Sequence, residues 1–362
     1  MEKLKKYIDS VVTGLDAIQK VPIVDYKTKL RCLRIGDISQ NKSFDNWGYT
    51  NASFLDVKQF LIRNNDNFIA RTGSTIGCSW FADKNFDSVF NNGIIRLRTN
   101  NLMLPKYLSY LMQTASFRKY VYNVGMGSAT QPNIKINDML DYEINVPSIN
   151  IQHHIVNTIG SVDNLIENLT KQNEILMTLG ISKINQFNNS YEKKSLNKIV
   201  KFEKGFEVGS SKYIEIYKKG LINYLRVGDL LSLSNTYIDE KDSDKIAKFE
   251  DILVAFDGSP GRNSIGLVGA YSSGIYNLKS TNKDKGLVYF EMNSDINKKI
   301  IDNHSQGTTI LHASKSINYL VYVDVDDNDK KVLNNYFYLI LQNKKKINFL
   351  NKIKDNLLNK YF

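Results

Sequence analysis

The stretch "DNFIARTGSTIG" (66–77) sets Arg71, Thr72, Ser74 and Thr75 around Gly73, and "EDILVAFDGSPGRNSIG" (250–266) sets Ser259 and Arg262 beside Gly258. A second turn follows each of them. "GMGSATQPNIK" (125–135) carries Ser128, Thr130 and Gln131, and "SQGTTILHASK" (305–315) carries Gln306, Thr308 and Thr309. Short donors and acceptors, an arginine, and glycines that let the backbone come close suit hydrogen bonding to base edges in a nucleic-acid groove. Plain turn chemistry accounts for the Gly-Ser pairs equally well, because tight turns select the same residues. Arg96 and Arg98 alternate on a strand pattern, where they would either line a phosphate track or occupy a solvated face.

No residue set for covalent chemistry emerges. The chain has no Asn-Pro-Pro-aromatic quartet for amino-group methylation and no Phe-x-Gly-x-Gly loop for a methyl donor. "GSPGRNSIG" (258–266) lacks the Gly-Lys-Ser/Thr of a phosphate-binding loop. "IDEKDSDK" (238–245) holds a lone acidic-x-Lys triplet, Asp239 to Lys241, without the carboxylates at set spacing that a metal-dependent nuclease requires, so it reads as a charged loop. His153 and His154 are adjacent and point to different faces of a helix, with no carboxylate one turn on, which argues against a metal site. Cys32 and Cys78 lack metal-ligand spacing and are too few for a disulfide framework. The expectation is a non-catalytic chain with no cofactor or metal of its own.

Lys and Arg number 48 against 37 Asp and Glu, a net charge of +11 spread through the chain. That favours a polyanionic partner, nucleic acid before a membrane surface, while a lysine-rich solvated surface is the plainer explanation. No stretch approaches the roughly 18 apolar residues needed to span a bilayer, and the start "MEKLKKYIDS" has no apolar leader core. A cytoplasmic setting is expected.

The elements that would position these residues occur twice. "LRIGDI" (33–38) returns as "LRVGDL" (225–230), and the Gly-Ser turns and the second turns follow in the same order. Two large copies mean a tandem duplication rather than a solenoid. Each copy reads as strands broken by Gly-rich turns, then helix; in the first, Pro105 opens a helix predicted over 105–125. Both copies close on a long stripe with heptad steps. One runs Ile155, Ile159, Val162, Ile166, Leu169, Asn173, Leu176; the other includes Ile340, Asn343, Ile347 and Leu350. Either each helix packs on its own domain or the two pair with each other, and the pattern at equivalent places favours pairing. The fold class expected is α+β. Two tandem mixed domains would be separated by two long helices pairing as an antiparallel coiled coil about a pseudo-twofold. A helix of about 36 residues would extend about 54 Å, more than one turn of duplex DNA.

Taken together, the two-copy layout, the recurrent "LRxGD" strand and the Gly-Ser turns resemble the specificity subunits of type I restriction–modification systems. So does "VPSINIQHHIVNTIGSVDNLIENL" (146–169), with Pro147, Gln152 and Ile155 at a domain-to-helix junction. The resemblance implies two target-recognition domains, 1–147 and 191–325, each reading one half of a split sequence in double-stranded DNA, with spacer helices at 148–190 and 326–362. It further implies helices that act as spacer and docking surface for two methyltransferase subunits, with restriction/translocase subunits joining in the nuclease form. S-adenosylmethionine, Mg and ATP would belong to those partners only. Gln152 and the stripe residues would form the docking and spacer surface. The second junction, "VYVDVDDNDKKVLNNYFYLIL" (321–341), has neither the Pro nor the Gln, which implies weaker or different docking there. Two other readings stand beside this one: a stand-alone bipartite DNA-binding regulator, and a coiled-coil adaptor with two protein-binding heads. Val156, Leu165 and Leu179, apolar but off the stripe, point to further partners.

Overall fold

The computed structural model describes residues 1–53, 56–126, 132–307 and 311–362. The chain forms two compact units, one of residues 1–164 with 351–362, the other of residues 165–350.

The first unit is built on two four-stranded sheets. One orders Ile8–Thr13, Ile94–Thr99, Asn67–Ala70 and Ser79–Phe81, all antiparallel. The other orders Ile23–Val24, Gly48–Thr50, Leu30–Leu33 and Ser88–Phe90, the last pair parallel, with Leu33 opposite Phe90. Phe68, Phe90, Ile94 and Leu33 fill the space between strands without solvent contact. Each such side chain contributes about 1.5–3 kcal/mol by burial.

The second unit repeats the antiparallel sheet strand for strand and three strands of the mixed one, whose fourth strand lies beyond the parallel neighbour here and beyond the antiparallel neighbour in the first unit. Lys201–Lys204, Ile275–Lys279, Leu253–Ala255 and Asn263–Ser264 form the antiparallel sheet. Tyr237–Asp239, Leu221–Leu225, Gly269–Tyr271 and Ile246–Ala247 form the mixed one, again with a parallel pair, Leu225 opposite Tyr271. The duplication is therefore one of backbone pairing, not only of motif.

Two local expectations are corrected. The helix read over 105–125 is two helices, Pro105–Leu111 and Ala115–Met126. Thr114 separates them: its hydroxyl donates to the Leu111 carbonyl at 2.8 Å and accepts from the Phe117 amide at 3.2 Å, an N-cap that starts a new helix. "LRxGD" is a strand only as far as Leu33 and Leu225, after which the chain makes a single helical turn.

The long helices are Ile149–Phe187 and Asp327–Tyr361. In the first unit Asp163 accepts from the Tyr110 hydroxyl at 2.9 Å and pairs with Lys354 at 2.7 Å, while Tyr361 meets His154. In the second, Asn343 donates to Asn173 at 3.0 Å and Lys183 lies 3.7 Å from Asp329. Each unit thus holds an antiparallel pair of helix segments, and the two stripe asparagines bond each other.

Candidate nucleic-acid interface

In the first unit, strand Asn67–Ala70 runs into a turn whose Gly73 and Gly77 have φ of +82° and +84°. Those values lie in the left-handed region open to glycine. The turn is fastened to the segment after residue 131. Ile134 N donates to the Arg71 carbonyl at 3.0 Å, Gly73 N donates to the Pro132 carbonyl at 3.3 Å, and Thr72 bridges Asn133. The Arg71 guanidinium follows the same path, donating through Nε to Asn133 Oδ1 at 3.0 Å and to the Ile134 carbonyl at 3.3 Å. Ser74 is exposed, Thr75 half-buried.

The second unit makes the same connection with other side chains. Ala313 N donates to the Phe256 carbonyl and Gly258 N to the Leu311 carbonyl, both at 2.8 Å, and Asp257 bridges His312. His312 Nδ1 sits 2.8 Å from Asp257 Oδ1. Gln306 and His312 exchange backbone bonds of 3.1 and 2.8 Å. Ser259 closes the glycine turn by accepting from Arg262 N, and Arg262 Nη1 donates to the Val227 carbonyl at 3.3 Å. The structure therefore brings together, unit by unit, Arg71, Thr72, Ser74 and Thr75 with the second turn, and Ser259 and Arg262 with Gln306. Ser128, Thr130, Gln131, Thr308 and Thr309 lie outside the described residues.

Arg96 and Arg98 do not join them. Arg96 is buried, with its guanidinium donating to the Gln59 carbonyl at 2.9 Å and lying over the Phe90 ring. It lines neither a phosphate track nor a solvated face, because the strand carrying it is covered on both sides, Ile94 to Leu97 all being buried. Burial pulls its pKa below the usual arginine value. Arg98 grips the fully buried Asp66 with two bonds of 2.5 and 3.1 Å. That pairing raises the pKa of Arg98 and neutralises a carboxylate the unit could not otherwise bury.

Gln152 faces inward. It is fully buried, donates to the Leu102 and Pro147 carbonyls at 2.9 Å, and accepts from Leu104 N at 2.8 Å, tying the helix start to the loop before Pro105. It is thus unavailable to a docking partner. The second junction performs this task with Asn334, which accepts from Gly286 N at 2.7 Å and donates to the Asn282 and Lys283 carbonyls. Of the stripe, Ile155, Ile159, Val162, Ile340 and Asn343 are buried, whereas Ile166, Leu169, Asn173, Leu176, Ile347 and Leu350 are half-buried. Leu165, Ile175, Leu179, Leu339 and Phe349 are exposed on the helix segments of the second unit.

The sequence reading passed over "LRxGD" as a site. Asp37 accepts from Arg34 N at 2.9 Å, and Asp229 accepts from Arg226 N at 2.7 Å and Ser234 N at 2.6 Å. Both aspartates are buried caps of the single helical turn. In the second unit this turn and the glycine turn enclose a recess of about 610 Å³ whose lining includes Glu207, Arg226, Gly228, Gly258 and Ser272. The signal that could have found it was the exact recurrence of a glycine in the motif. Among the described residues no cluster of His, Cys, Asp or Glu could hold a metal, and no helix is long and apolar enough to cross a membrane.

Residues 27–177 match the family model described as "Type I restriction modification DNA specificity domain". Over 91 residues the chain is 33% identical to the type I restriction enzyme MjaIX specificity subunit of Methanocaldococcus jannaschii, a match covering 25% of this chain and about a fifth, 21%, of that relative's length. The fold over the whole chain is similar to the crystal structure of a type I restriction–modification S subunit from M. genitalium. That likeness has a TM-score of 0.51 and 19% identity, and covers 100% of this chain and 95% of the other. Two mixed units with long helices are the fold that the chain shares with that S subunit. Residues 27–177 thus carry the sequence pattern of a type I restriction modification DNA specificity domain.

Proposed function

We propose that this chain is the non-catalytic specificity subunit of a methyltransferase, and of a restriction enzyme when translocase subunits join. Each unit reads one half of a split target in double-stranded DNA through its paired turns. The helices dock two methyltransferase subunits, which bring S-adenosylmethionine; Mg and ATP belong to the restriction partners, and the complex works in the cytoplasm. One observation carries this reading: both units bridge their two turns through the same backbone positions and dress them with different side chains. That is what reading two unlike half-sites from one scaffold requires. The apolar residues left exposed on the helices favour docking over a stand-alone regulator.

The test is methylome sequencing of cells carrying the chain with its methylation partner. A split target that changes when turn residues of this chain change is expected; a methylation pattern indifferent to the chain overturns the proposal. Purified alone, the chain should bind duplex DNA with an affinity that falls steeply with salt, by about 0.9 logarithmic unit per phosphate neutralised, and should neither methylate nor cut.

A further inference from the structure

Gly36 and Gly228 occupy the same place in the two "LRxGD" turns, and neither unit has an internal need for glycine there. Neither is among the glycines of positive φ, and a methyl group added at either would meet no atom of the described residues within 4 Å. The other glycines of the repeat have causes. A Cβ at Gly14 or Gly205 would collide with backbone carbonyls at 2.2 Å, and one at Gly93 or Gly274 would press on Ile35 at 2.6 Å or Val227 at 3.1 Å. A position left bare in both copies without an internal cause points to something outside the chain that must come close.

In the second unit that something has a place, the recess of about 610 Å³ onto which Gly228 opens. Its carboxylates tell which ligand chemistry fits. Asp229 is engaged by the Arg226 and Ser234 amides, and Asp257 by His312. Glu207 is exposed and, among the described residues, accepts from the Tyr213 hydroxyl at 3.3 Å and the Ser273 hydroxyl at 3.1 Å. A carboxylate has about four acceptor positions, so Glu207 has acceptor capacity to spare. Arg226 keeps about half its side chain exposed, at 48%. Three carboxylates around one arginine repel a phosphate. They suit a base edge, whose amino group can donate to a carboxylate and whose ring nitrogen and carbonyl can accept from a guanidinium.

We infer that this recess is a base-edge reading site, with Arg226 and Glu207 as specificity-determining residues and Gly228 left bare so that the nucleotide can seat. Gly36 grants the same approach in the first unit. The inference rests on the DNA-reading function proposed above and adds where the reading occurs. Its test expresses wild type, Gly36→Ala, Gly228→Ala and Glu207→Gln with the methylation partner, and measures methylomes alongside thermal melts of the purified chains. Both alanine variants should melt as wild type does, because the space for a methyl group is open, yet each should lower methylation at the wild-type target by about tenfold. Glu207→Gln should alter the base accepted at one position in one half of the target and leave the other half unchanged. Wild-type occupancy and sequence in Gly228→Ala and Glu207→Gln would overturn the inference while the parent reading stands. So would a depressed melting temperature in both alanine variants, which would make the glycines structural. If wild type itself directs methylation to no split target, the parent reading falls instead.

Discussion

The two units fasten their paired turns at equivalent backbone positions, Thr72 with Asn133 in one and Asp257 with His312 in the other, but with unlike side chains. The first unit uses the Arg71 guanidinium on a neutral amide and a carbonyl. The second uses an imidazole on a carboxylate. Backbone pairing thus holds the scaffold constant while the side chains at the rim are free to differ. The half-site reading proposed above needs that division of labour, since geometry must be shared and chemistry must not.

The sharpest contrast between the units lies beneath the rim. Counting three residues back from the helix-capping Thr114 and Ser294 places Leu111 in the first unit where the second has Glu291. Both side chains are buried, and the Glu291 carboxylate accepts from Val323 N at 2.8 Å. Burial pushes its pKa up to about 7 from an ordinary 4.5. A raised acid contributes its stability fully below the unfolded pKa and loses it as pH climbs through the folded one. The second unit should therefore weaken between about pH 4.5 and 7, by on the order of 3 kcal/mol. Glu291→Gln, which cannot ionise, should flatten that slope, as read by melting curves across pH 4–8 compared with wild type. Parallel curves for the two proteins would show that the carboxyl stays uncharged or hydrated throughout.

The junctions offer the next contrast. Removing Gln152 with Gln152→Ala strands two carbonyls and an amide inside the first unit and should cost about 2–4 kcal/mol. Asn334 has the same task, but its bonds to the Asn282 and Lys283 carbonyls lie where solvent reaches. Water can replace those, so Asn334→Ala should cost about 1–2 kcal/mol. Chemical denaturation of both variants checks the order. An equal loss would mean the second junction is as dry as the first.

Much of this was legible in the chain. The duplication, the order of the Gly-rich turns and the two asparagines in the helical stripes followed from recurrence and spacing, and these are properties a linear pattern carries. Arg96 was not legible, because alternation shows that a strand has two faces but not that both are covered. The Asn334 clamp was hidden as well, since a different residue type at a shifted position does the work of Gln152. In "LRxGD" the charged aspartate drew no structural reading, yet it is a buried cap, and the glycine beside it carries the functional question.

The rim itself gives the smallest and most local effect. Arg71→Ala removes the side-chain bonds to Asn133 and Ile134 but leaves the backbone bridge intact. Partly solvated bonds of this kind are worth about 0.5–1.5 kcal/mol, so global stability should scarcely change. What should change is local opening. Ile134 N donates to the Arg71 carbonyl, and its amide exchange should quicken about tenfold for about 1.4 kcal/mol of lost local protection. Asp257→Ala should do the same at Ala313 N, which reports the corresponding bond in the second unit. Each substitution should leave the other unit's reporter at its wild-type rate, because the two bridges lie in separate compact units. Hydrogen exchange read at these two amides decides the matter. If Arg71→Ala leaves Ile134 N protected while one half of the methylated target changes, Arg71 contacts DNA itself rather than acting by holding the second turn.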